Sequence, residues 1–464
     1  MQNDLAFLTA IELIALYRGH KLSPVEATEA ALAAIARHNP ALNAYCHVDR
    51  DNALAQARAS EARWHRNEPC GLVDGVPVSI KDLVLTNGLP TRRGSRLVDP
   101  DQPWTEDAPS SARLRAHGAV LLGKTTTPEF GWKGVTDSPL TGITRNPWNP
   151  AMTPGGSSGG AAVAAATGMG ALHIGTDGGG SIRIPASFSG IVGFKATFGR
   201  VPAFPLSPFG SLANVGPMTR SVADAALMFS VISRPDPRDP YTLPSEPADY
   251  HETLNGNIAG WRIAFSPTLS GATVDPEVAA SVAKAVARFE ALGAKVDVVE
   301  RVLDSSLLTF QTHWFGGAAF LLSQFPAEKH QLLDPGLAQV VELGRKISLM
   351  DHLGAVKARE AMSSAMGQFH QRYDLLVTPT MPIPAFQAGH DFPPHVAHKQ
   401  WSDWTPFTYP FNLTRQPAIS VPCGLTSTGL PIGLQIVGPL YGDRAVLNAA
   451  RAFEQSQPFQ RPKI

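Results

Sequence analysis

Two serines stand among glycines in the middle of the chain. Ser157 lies in Pro154-Gly-Gly-Ser-Ser-Gly-Gly160, and Ser181 lies in Gly175-Thr-Asp-Gly-Gly-Gly-Ser-Ile-Arg183. Glycine tolerates positive φ and lets a ligand approach the backbone, so such loops expose amide N–H groups together with the serine hydroxyl. Residues 178–181 can therefore form an oxyanion hole around their own nucleophile, which is typical of acyl-transfer chemistry.

Other glycine-rich sites fit the sequence less well. The phosphate-binding string GxxxxGK[ST] is absent, and no GxGxxG follows a strand with an acid about 20 residues later. Gly155-Gly-Ser-Ser-Gly159 matches the GxSxG nucleophile elbow, but that elbow must follow a strand. Two prolines within residues 148–154 argue against a strand there, so the elbow is rejected.

A lysine at the end of an apolar run offers an alternative general base. His173 and Asp177 are too far apart for a Ser-His-Asp triad, since four residues span about 13 Å along a strand. His173 is therefore predicted to be a packed strand residue. Lys81 ends the run Gly75-Val-Pro-Val-Ser-Ile-Lys81, where burial can lower its pKa by disfavouring the ammonium form. The alternative is an ordinary solvated lysine.

The segments around these residues resemble the core of the amidase signature family. The matching segments are Gly75–Leu83, Gly123–Thr125 with Glu129–Phe130, Pro154–Gly160, Gly175–Ala186, Gly190–Lys195, Gly216–Ser221 and Pro417–Pro422. The similarity thus extends over most of the chain, and the glycine-serine block is its most specific part.

The resemblance implies a role for each matching residue and requires no cofactor. Ser181 resembles the family nucleophile, Ser157 resembles the bridging serine, and Lys81 resembles the general base. The Gly156–Ser157 peptide is expected to be cis. Neutral Lys81 would draw a proton through Ser157 from Ser181, which attacks the amide carbon and forms an acyl-enzyme.

The loop around the nucleophile is expected to stabilise the tetrahedral oxyanion with four amides, those of Gly178, Gly179, Gly180 and Ser181. Asp177 and Arg183 are expected to pair and hold this loop. The alternative role for Arg183 is direct contact with a substrate carboxylate. Gly131 and Trp132 are predicted to lie near the acyl site and to contact the substrate, because of their position in the family alignment.

The substrate class stays open at this stage. The glutaminase component of the glutamyl-tRNA(Gln) amidotransferase resembles this chain, but the position of its glutamine-recognising acid is matched here by Thr405. Five aromatic residues can line an apolar pocket or pack in the core: Trp132, Trp401, Trp404, Phe407 and Tyr409. We therefore favour an amidase that cleaves a small aryl or alkyl amide. A catalytically inert relative kept as a binding module is a further hypothesis.

Composition limits the partners. Lysine plus arginine number 39, as do aspartate plus glutamate, so no basic field favours nucleic acid. Three separated cysteines without a CxxC pair argue against a zinc ribbon or disulfide framework and favour a reducing cytosol. Neither a signal-peptide pattern nor an apolar run of about 18 residues is present. The sequence predicts a soluble cytoplasmic protein, and the resemblance allows a homodimer.

A metal-binding interaction protein is the hypothesis from another class. His390, Asp391, His395 and His398 have side chains that can ligate zinc. They lie in the Pro- and His-rich piece 382–398, which is predicted to be a loop without helical order. The solvated-loop interpretation is preferred, so no metal is expected.

The sequence pattern around these residues indicates an α/β fold, because short apolar runs alternate with helical stretches. The resemblance implies one α/β domain over 1–464, with a mixed twisted sheet between helices. Helix-start signatures at Thr9–Glu12 and Ser23–Glu26 predict an N-terminal helical cover over 1–70. The remaining expected regions are a catalytic core at 71–230, a connection near 230–257, a helical subregion at 300–370 and a hairpin through Gly429.

Overall fold

The structure, a computed structural model, describes residues 5–246, 249–269, 271–394 and 396–463. The strands are β1 (Tyr45–Val48), β2 (Pro77–Lys81), β3 (Val120–Thr125), β4 (Asp137–Ser138), β5 (Gly142–Ile143), β6 (Leu172–Asp177), β7 (Val192–Lys195), β8 (Asn214–Thr219), β9 (Arg262–Phe265), β10 (Lys295–Val298), β11 (Leu375–Pro379), β12 (Ala418–Leu425) and β13 (Pro431–Val437).

Within these residues eleven strands form one mixed sheet, in the order β1-β3-β2-β6-β8-β7-β12-β13-β11-β9-β10. β2 pairs in parallel with β3 and β6, and β9 pairs in parallel with β10 and β11. The other pairings in this sheet are antiparallel. β4 and β5 form a separate two-stranded ribbon.

Helices surround this sheet. They are α1 (Ala10–Arg18), α2 (Pro24–Leu42), α3 (Arg50–His65), α4 (Pro109–Ala116), α5 (Gly159–Ala166), α6 (Arg183–Ser189), α7 (Val222–Ile232), α8 (Pro276–Ala291), α9 (Leu307–Ser323), α10 (Pro335–Arg345), α11 (Leu349–Phe369), α12 (Pro410–Leu413) and α13 (Asp443–Ser456). Every residue of β2, β3 and β8 is buried, which requires cover on both faces of the sheet.

The first two helices begin where the sequence predicts. Thr9 and Ser23 are N-caps, and each forms a capping box with the glutamate three residues later. These reciprocal hydrogen bonds satisfy backbone N–H groups that the first helical turn leaves free. Gly19 is the C-cap of α1.

Several predicted elements are confirmed. β12 and β13 form the expected antiparallel hairpin, and β9, α8 and β10 form a strand, helix and strand unit. α9, α10 and α11 occupy most of residues 307–369. The sequence patterns do not predict β1, β7 and β8, and β1 lies within the segment expected to be a helical cover. No helix in the described part of the chain has the length and apolar composition of a membrane span.

The topology places the candidate residues at one edge of the sheet. β2 and β6 are neighbouring parallel strands, so their carboxyl ends lie side by side. Lys81 is the last residue of β2, and Asp177 is the last residue of β6. In open α/β sheets, ligands bind beyond the carboxyl ends of the strands, which makes this edge the expected place for a site.

Candidate active site

Lys81 lies at the centre of a cluster of hydroxyl groups. Its Nζ is 2.7 Å from Ser157 Oγ, 2.8 Å from Ser158 Oγ and 2.9 Å from Thr176 Oγ1. The side chain is buried, with 0% of its surface exposed. Three neutral oxygens therefore surround Lys81 Nζ, and no carboxylate among the described residues contacts it. The alternative of a solvated lysine is wrong.

Burial determines the protonation of this amine. Removal from water lowers the pKa of Lys81 well below its ordinary value, because the ammonium form loses its hydration. The negative charge of Asp177 acts in the opposite direction but does not outweigh burial. A lysine of this kind can accept a proton near neutral pH, which an exposed lysine does poorly.

The loop that carries Ser157 is held by close packing. The Gly156–Ser157 peptide is cis, as expected. A Cβ on Gly156 would lie 2.4 Å from the Val135 carbonyl carbon, so a larger residue does not fit. Thr136 donates to the Gly155 carbonyl at 2.8 Å and accepts from Gly159 N–H at 3.0 Å. Sequence reasoning missed Thr136, which fixes both ends of the loop.

The loop that carries Ser181 is organised by one buried carboxylate. Asp177 accepts hydrogen bonds from Gly180 N–H at 2.7 Å and from Ile182 N–H at 3.2 Å. Its ion pair with Arg183, predicted from the sequence, measures 2.9 Å and is fully buried. Burial alone would raise the pKa of Asp177, but Arg183 outweighs this effect and keeps that pKa below its ordinary value.

Arg183 is fully engaged by the protein. Its Nε and Nη2 donate to the Asp177 carboxylate, each at 2.9 Å. Its remaining donors reach the Thr408 carbonyl at 2.9 Å, Gln435 Oε1 at 2.8 Å and Asn412 Oδ1 at 2.6 Å. The alternative of direct substrate contact by Arg183 is therefore wrong in this structure. Sequence reasoning missed Gln435 and Asn412.

The amides next to Ser181 differ in their availability. The Gly180 N–H donates to Asp177, so it does not point at an oxyanion, and its expected role needs correction. The amides of Gly178, Gly179 and Ser181 have no acceptor among the described residues. Three of the four expected donors thus remain free for a ligand oxygen.

Aromatic side chains pack against this glycine loop. A Cβ on Gly178 would lie 2.8 Å from Trp314, and one on Gly179 would lie 2.7 Å from Phe310 and 2.8 Å from Trp401. Glycine is therefore required at both positions because bulky rings lie against the backbone.

Ser157 and Ser181 open onto one cavity of about 220 Å³. The Ser158 N–H donates to the Ser181 carbonyl at 3.1 Å and so connects the two loops. No hydrogen bond joins the hydroxyls of Ser157 and Ser181 in the described structure. Gly131 lines the cavity, and a Cβ there would lie 3.2 Å from Ser157 Oγ.

The aromatic lining of the cavity differs from the expectation. Trp132, Trp401, Trp404, Phe407 and Tyr409 are buried and lie outside the cavity wall. The aromatic residues that do line it are Phe130, Phe198, Phe204, Phe209, Tyr241 and Trp314. The prediction that Trp132 contacts the substrate is therefore wrong, since this residue packs behind the wall and its carbonyl accepts from Trp314 Nε1 at 3.0 Å.

The cavity presents no free carboxylate near the position matched to a glutamine-recognising acid. Thr405 is buried, its hydroxyl donates to the Ser402 carbonyl, and it does not line the cavity. Asp239 is the one carboxylate in the described wall, and its oxygens accept from Ala203 N–H and Tyr241 N–H, each at 2.8 Å.

Two other candidate groups form no site among the described residues. His173 is a buried strand residue, as predicted; its Nδ1 is 2.7 Å from Ser79 Oγ, and burial lowers its pKa to about 3. Asp391 pairs with Lys133 at 2.6 Å. His395 lies outside the described residues. Among those that are described, no group of three potential ligands is arranged to hold a metal ion.

Comparison with known proteins places this site in a family. The chain matches the Amidase family model over residues 26–447. It is 36% identical over 469 residues to an acylamidase of Rhodococcus erythropolis, with 100% of this chain and 98% of that protein covered. It is also 36% identical over 486 residues to the A component of the glutamyl-tRNA(Gln) amidotransferase of Myxococcus xanthus, with 99% of each covered.

Solved structures give the same result. A bacterial aryl acylamidase of the amidase signature family superposes with a TM-score of 0.90 at 30% identity, over 97% of this chain and 96% of that chain. The 6-aminohexanoate cyclic dimer hydrolase complexed with substrate superposes with a TM-score of 0.89 at 28% identity, over 99% of each chain. The chain therefore belongs to the amidase signature family and is an amide-hydrolysing enzyme.

Proposed function

We propose that this enzyme hydrolyses a small carboxamide with an aryl or alkyl group, using Ser181 as nucleophile, Ser157 as proton relay and Lys81 as base. The observation that carries the proposal is the 2.7 Å contact between Lys81 Nζ and Ser157 Oγ, in a place where burial favours the neutral amine. A neutral amine hydrogen-bonded to a hydroxyl can receive a proton through it.

The first half of the reaction forms an acyl-enzyme. The hydroxyl of Ser181 turns toward Ser157 and donates to it when substrate binds, since such contacts often tighten only in the substrate complex. Ser181 Oγ attacks the amide carbon while its proton passes to Ser157 and the Ser157 proton passes to Lys81. The resulting ammonium then returns a proton by the same route to the leaving nitrogen, and the C–N bond breaks.

The amides of Gly178, Gly179 and Ser181 stabilise the tetrahedral oxyanion. They have no acceptor among the described residues, so no protein contact must be broken when the oxyanion forms. Removal of one such donor in a comparable site costs about 3 kcal/mol in the transition state. In the second half of the reaction, water attacks the acyl carbon and gives a proton through Ser157 to Lys81. The C–O bond to Ser181 then breaks, and the proton returns by the same route to Ser181 Oγ as the carboxylic acid leaves.

The cavity supports an apolar substrate. Its wall contains six aromatic side chains besides aliphatic ones, and its one carboxylate, Asp239, is occupied by backbone amides. The likeness to an acylamidase and to an aryl acylamidase supports the same class. The second candidate is a glutaminase, which the likeness to an amidotransferase component favours. Thr405 counts against it, because this residue offers no charge to the amino group of glutamine.

The central experiment is active-site labelling with a fluorophosphonate. We expect one label per chain on the parental protein, loss of the label in Ser181→Ala and at least a 100-fold slower reaction in Ser157→Ala. Ser110→Ala is the matched control, since Ser110 also lines the cavity but its hydroxyl has no hydrogen-bond partner in the described structure. A parental protein that does not react would support the inert alternative.

The substrate class requires a separate comparison. Initial rates are measured with acetanilide, a series of alkyl amides and glutamine at equal concentrations. We expect turnover of the anilide and alkyl amides with no detectable release of ammonia from glutamine. Exclusive turnover of glutamine would contradict the proposed substrate class while leaving the roles of Ser181 and Lys81 intact.

A further inference from the structure

Arg93 lies in the wall of the cavity that contains Ser157 and Ser181. It follows β2 in the chain and has a φ of +56°, a backbone conformation that side-chain-bearing residues rarely adopt. Its carbonyl accepts from Phe130 N–H at 2.8 Å, which fixes its backbone to the loop that carries Gly131. The position of Arg93 next to the reaction site is therefore set by the backbone on both sides.

Among the described residues, the guanidinium of Arg93 forms no ion pair and no hydrogen bond, and the charge that acts on it is that of Asp82. Asp82 is the carboxylate that attracts it, but the oxygens of Asp82 accept instead from Arg92 N–H and Gly94 N–H, each at 2.9 Å. Burial lowers the pKa of Arg93, which indicates a cation taken partly out of water.

Arg93 is the positively charged residue in the described part of the cavity wall. Asp239 and Arg93 are the charged residues of the described wall, and Asp239 already accepts two backbone N–H groups. Burial lowers the pKa of Lys81 and so disfavours its ammonium form. The rest of the wall is mainly apolar, so the field of one guanidinium is weakly screened there.

We propose that Arg93 binds a carboxylate carried by the substrate, and that the enzyme accepts amides with an apolar body and an anionic group away from the scissile bond. A planar guanidinium presents paired donors that match the two oxygens of a carboxylate. The remaining wall holds the apolar body, and the free amides beside Ser181 hold the amide oxygen. This inference names the substrate class of the proposed amidase and so rests on that function.

Binding to a Ser181→Ala protein tests the inference without turnover. The probes are two isosteric pairs: 4-acetamidobenzoate with 4-isopropylacetanilide, and 4-anilino-4-oxobutanoate with 4-methylpentananilide. The first carboxylate lies on the amine side of the amide, and the second lies on the acyl side. Calorimetry gives Kd for each compound with Ser181→Ala alone and with Arg93→Gln or Arg96→Gln added. Arg96 is the matched control, because it is exposed and lies outside the cavity.

For at least one pair, Arg93→Gln should raise the Kd of the carboxylate compound by about 10- to 100-fold. The Kd of its neutral isostere should change by less than about threefold. Arg96→Gln should change neither Kd. The melting temperature should not fall in Arg93→Gln, since no protein contact of the guanidinium is lost. Arg93→Lys should retain part of the affinity because it keeps the charge but not the fork.

The inference is overturned if Arg93→Gln raises the Kd of both members of each pair equally, or of neither member. It is also overturned if neither carboxylate compound binds when Arg93 is present. A lower melting temperature together with equal losses would assign Arg93 a structural role. Failure of the proposed amidase chemistry would appear separately, as missing fluorophosphonate labelling of Ser181, because the binding measurement needs no reaction.

Discussion

Replacing Thr176 by aspartate tests whether the neutral state of Lys81 is needed for the reaction. Thr176 Oγ1 lies 2.9 Å from Lys81 Nζ, near the end of β6 and on the cavity wall. Thr176→Asp replaces this hydroxyl by a carboxylate of similar size. Opposite charges about 3 Å apart attract by about 5.5 kcal/mol at an effective dielectric constant near 20. The substitution should therefore return Lys81 to its ammonium form at neutral pH.

The expected loss follows from the ordinary pKa of lysine, 10.5. Such a lysine is neutral in about one molecule in 3,000 at pH 7, which corresponds to about 4.8 kcal/mol, less than the attraction of the new carboxylate. We expect kcat/KM of Thr176→Asp to fall about 1,000-fold at pH 7. Because the base must be neutral, activity should rise about tenfold for each pH unit as the pH approaches the new pKa of Lys81.

The assay compares Thr176→Asp with Thr176→Asn, which has the same shape without the charge. Values of kcat/KM for an anilide and rates of fluorophosphonate labelling are measured from pH 6 to 10. The asparagine variant should show a smaller loss that does not depend on pH in this way. Equal losses in both variants with parallel pH profiles would refute a reaction that depends on the neutral amine of Lys81.

Two substitutions test the packing of the site. Gly131→Ala should lower kcat/KM by about 10- to 100-fold in steady-state kinetics, because small displacements of reacting groups have effects of that size. Gly131 has a φ of +73°, and its added Cβ would lie 2.8 Å from Leu83 Cδ1 and 3.2 Å from Ser157 Oγ. Arg183→Met leaves the buried Asp177 carboxylate without its cation, so the free energy of unfolding in urea should fall by about 3–5 kcal/mol.

Each of these substitutions has a control in the same chain. Gly429→Ala has a similar φ, +81°, but its Cβ meets no atom within 4 Å, so kinetics should stay parental. Arg238→Met breaks a partly exposed ion pair with Asp236, so the free energy of unfolding should fall by less than about 1 kcal/mol. Parental kinetics in Gly131→Ala, or equal destabilisation by the two arginine substitutions, would contradict the respective prediction.

The candidate site was predictable from sequence because its signals are local. A lysine at the end of a buried strand and two serines among glycines each carry their information within about ten residues. Their meeting in space depends on sheet order, since Lys81 and Thr176 come together only because β2 and β6 are neighbours. The family resemblance supplied that proximity, and residue patterns alone did not.

The strands β7 and β8 are not predicted because their sequences lack the usual features of a strand. β8 contains Gly216 and Pro217, which normally argue against a central strand. The proline is tolerated because β7 pairs with β8 only at Met218 and Thr219, so Pro217 loses no partner on that side. β7 is only four residues long and includes Gly193, which leaves little periodicity to recognise.

The sequence left open which aromatic residues line the cavity, because pocket walls depend on long-range folding. Trp401 and Trp404 could line a pocket or pack in the core, and the structure buries Trp401 behind the glycine loop and Trp404 against Phe188. The segment 198–210 instead supplies much of the wall, including three phenylalanines. Its many prolines indicate a loop, but nothing in its composition says which surface it covers.

The placement of Asp177 also affects the pKa of Lys81, the proposed base. Asp177 is the charge that raises the pKa of Lys81, in opposition to burial. The same carboxylate accepts from the Gly180 and Ile182 amides and forms a 2.9 Å ion pair with Arg183, which balances its buried charge. The proposed mechanism needs a neutral Lys81, so burial of the amine must outweigh the attraction of Asp177, and the lowered pKa of Lys81 agrees with this. One carboxylate can therefore order the loop of the proposed nucleophile because burial keeps the pKa of the proposed base low.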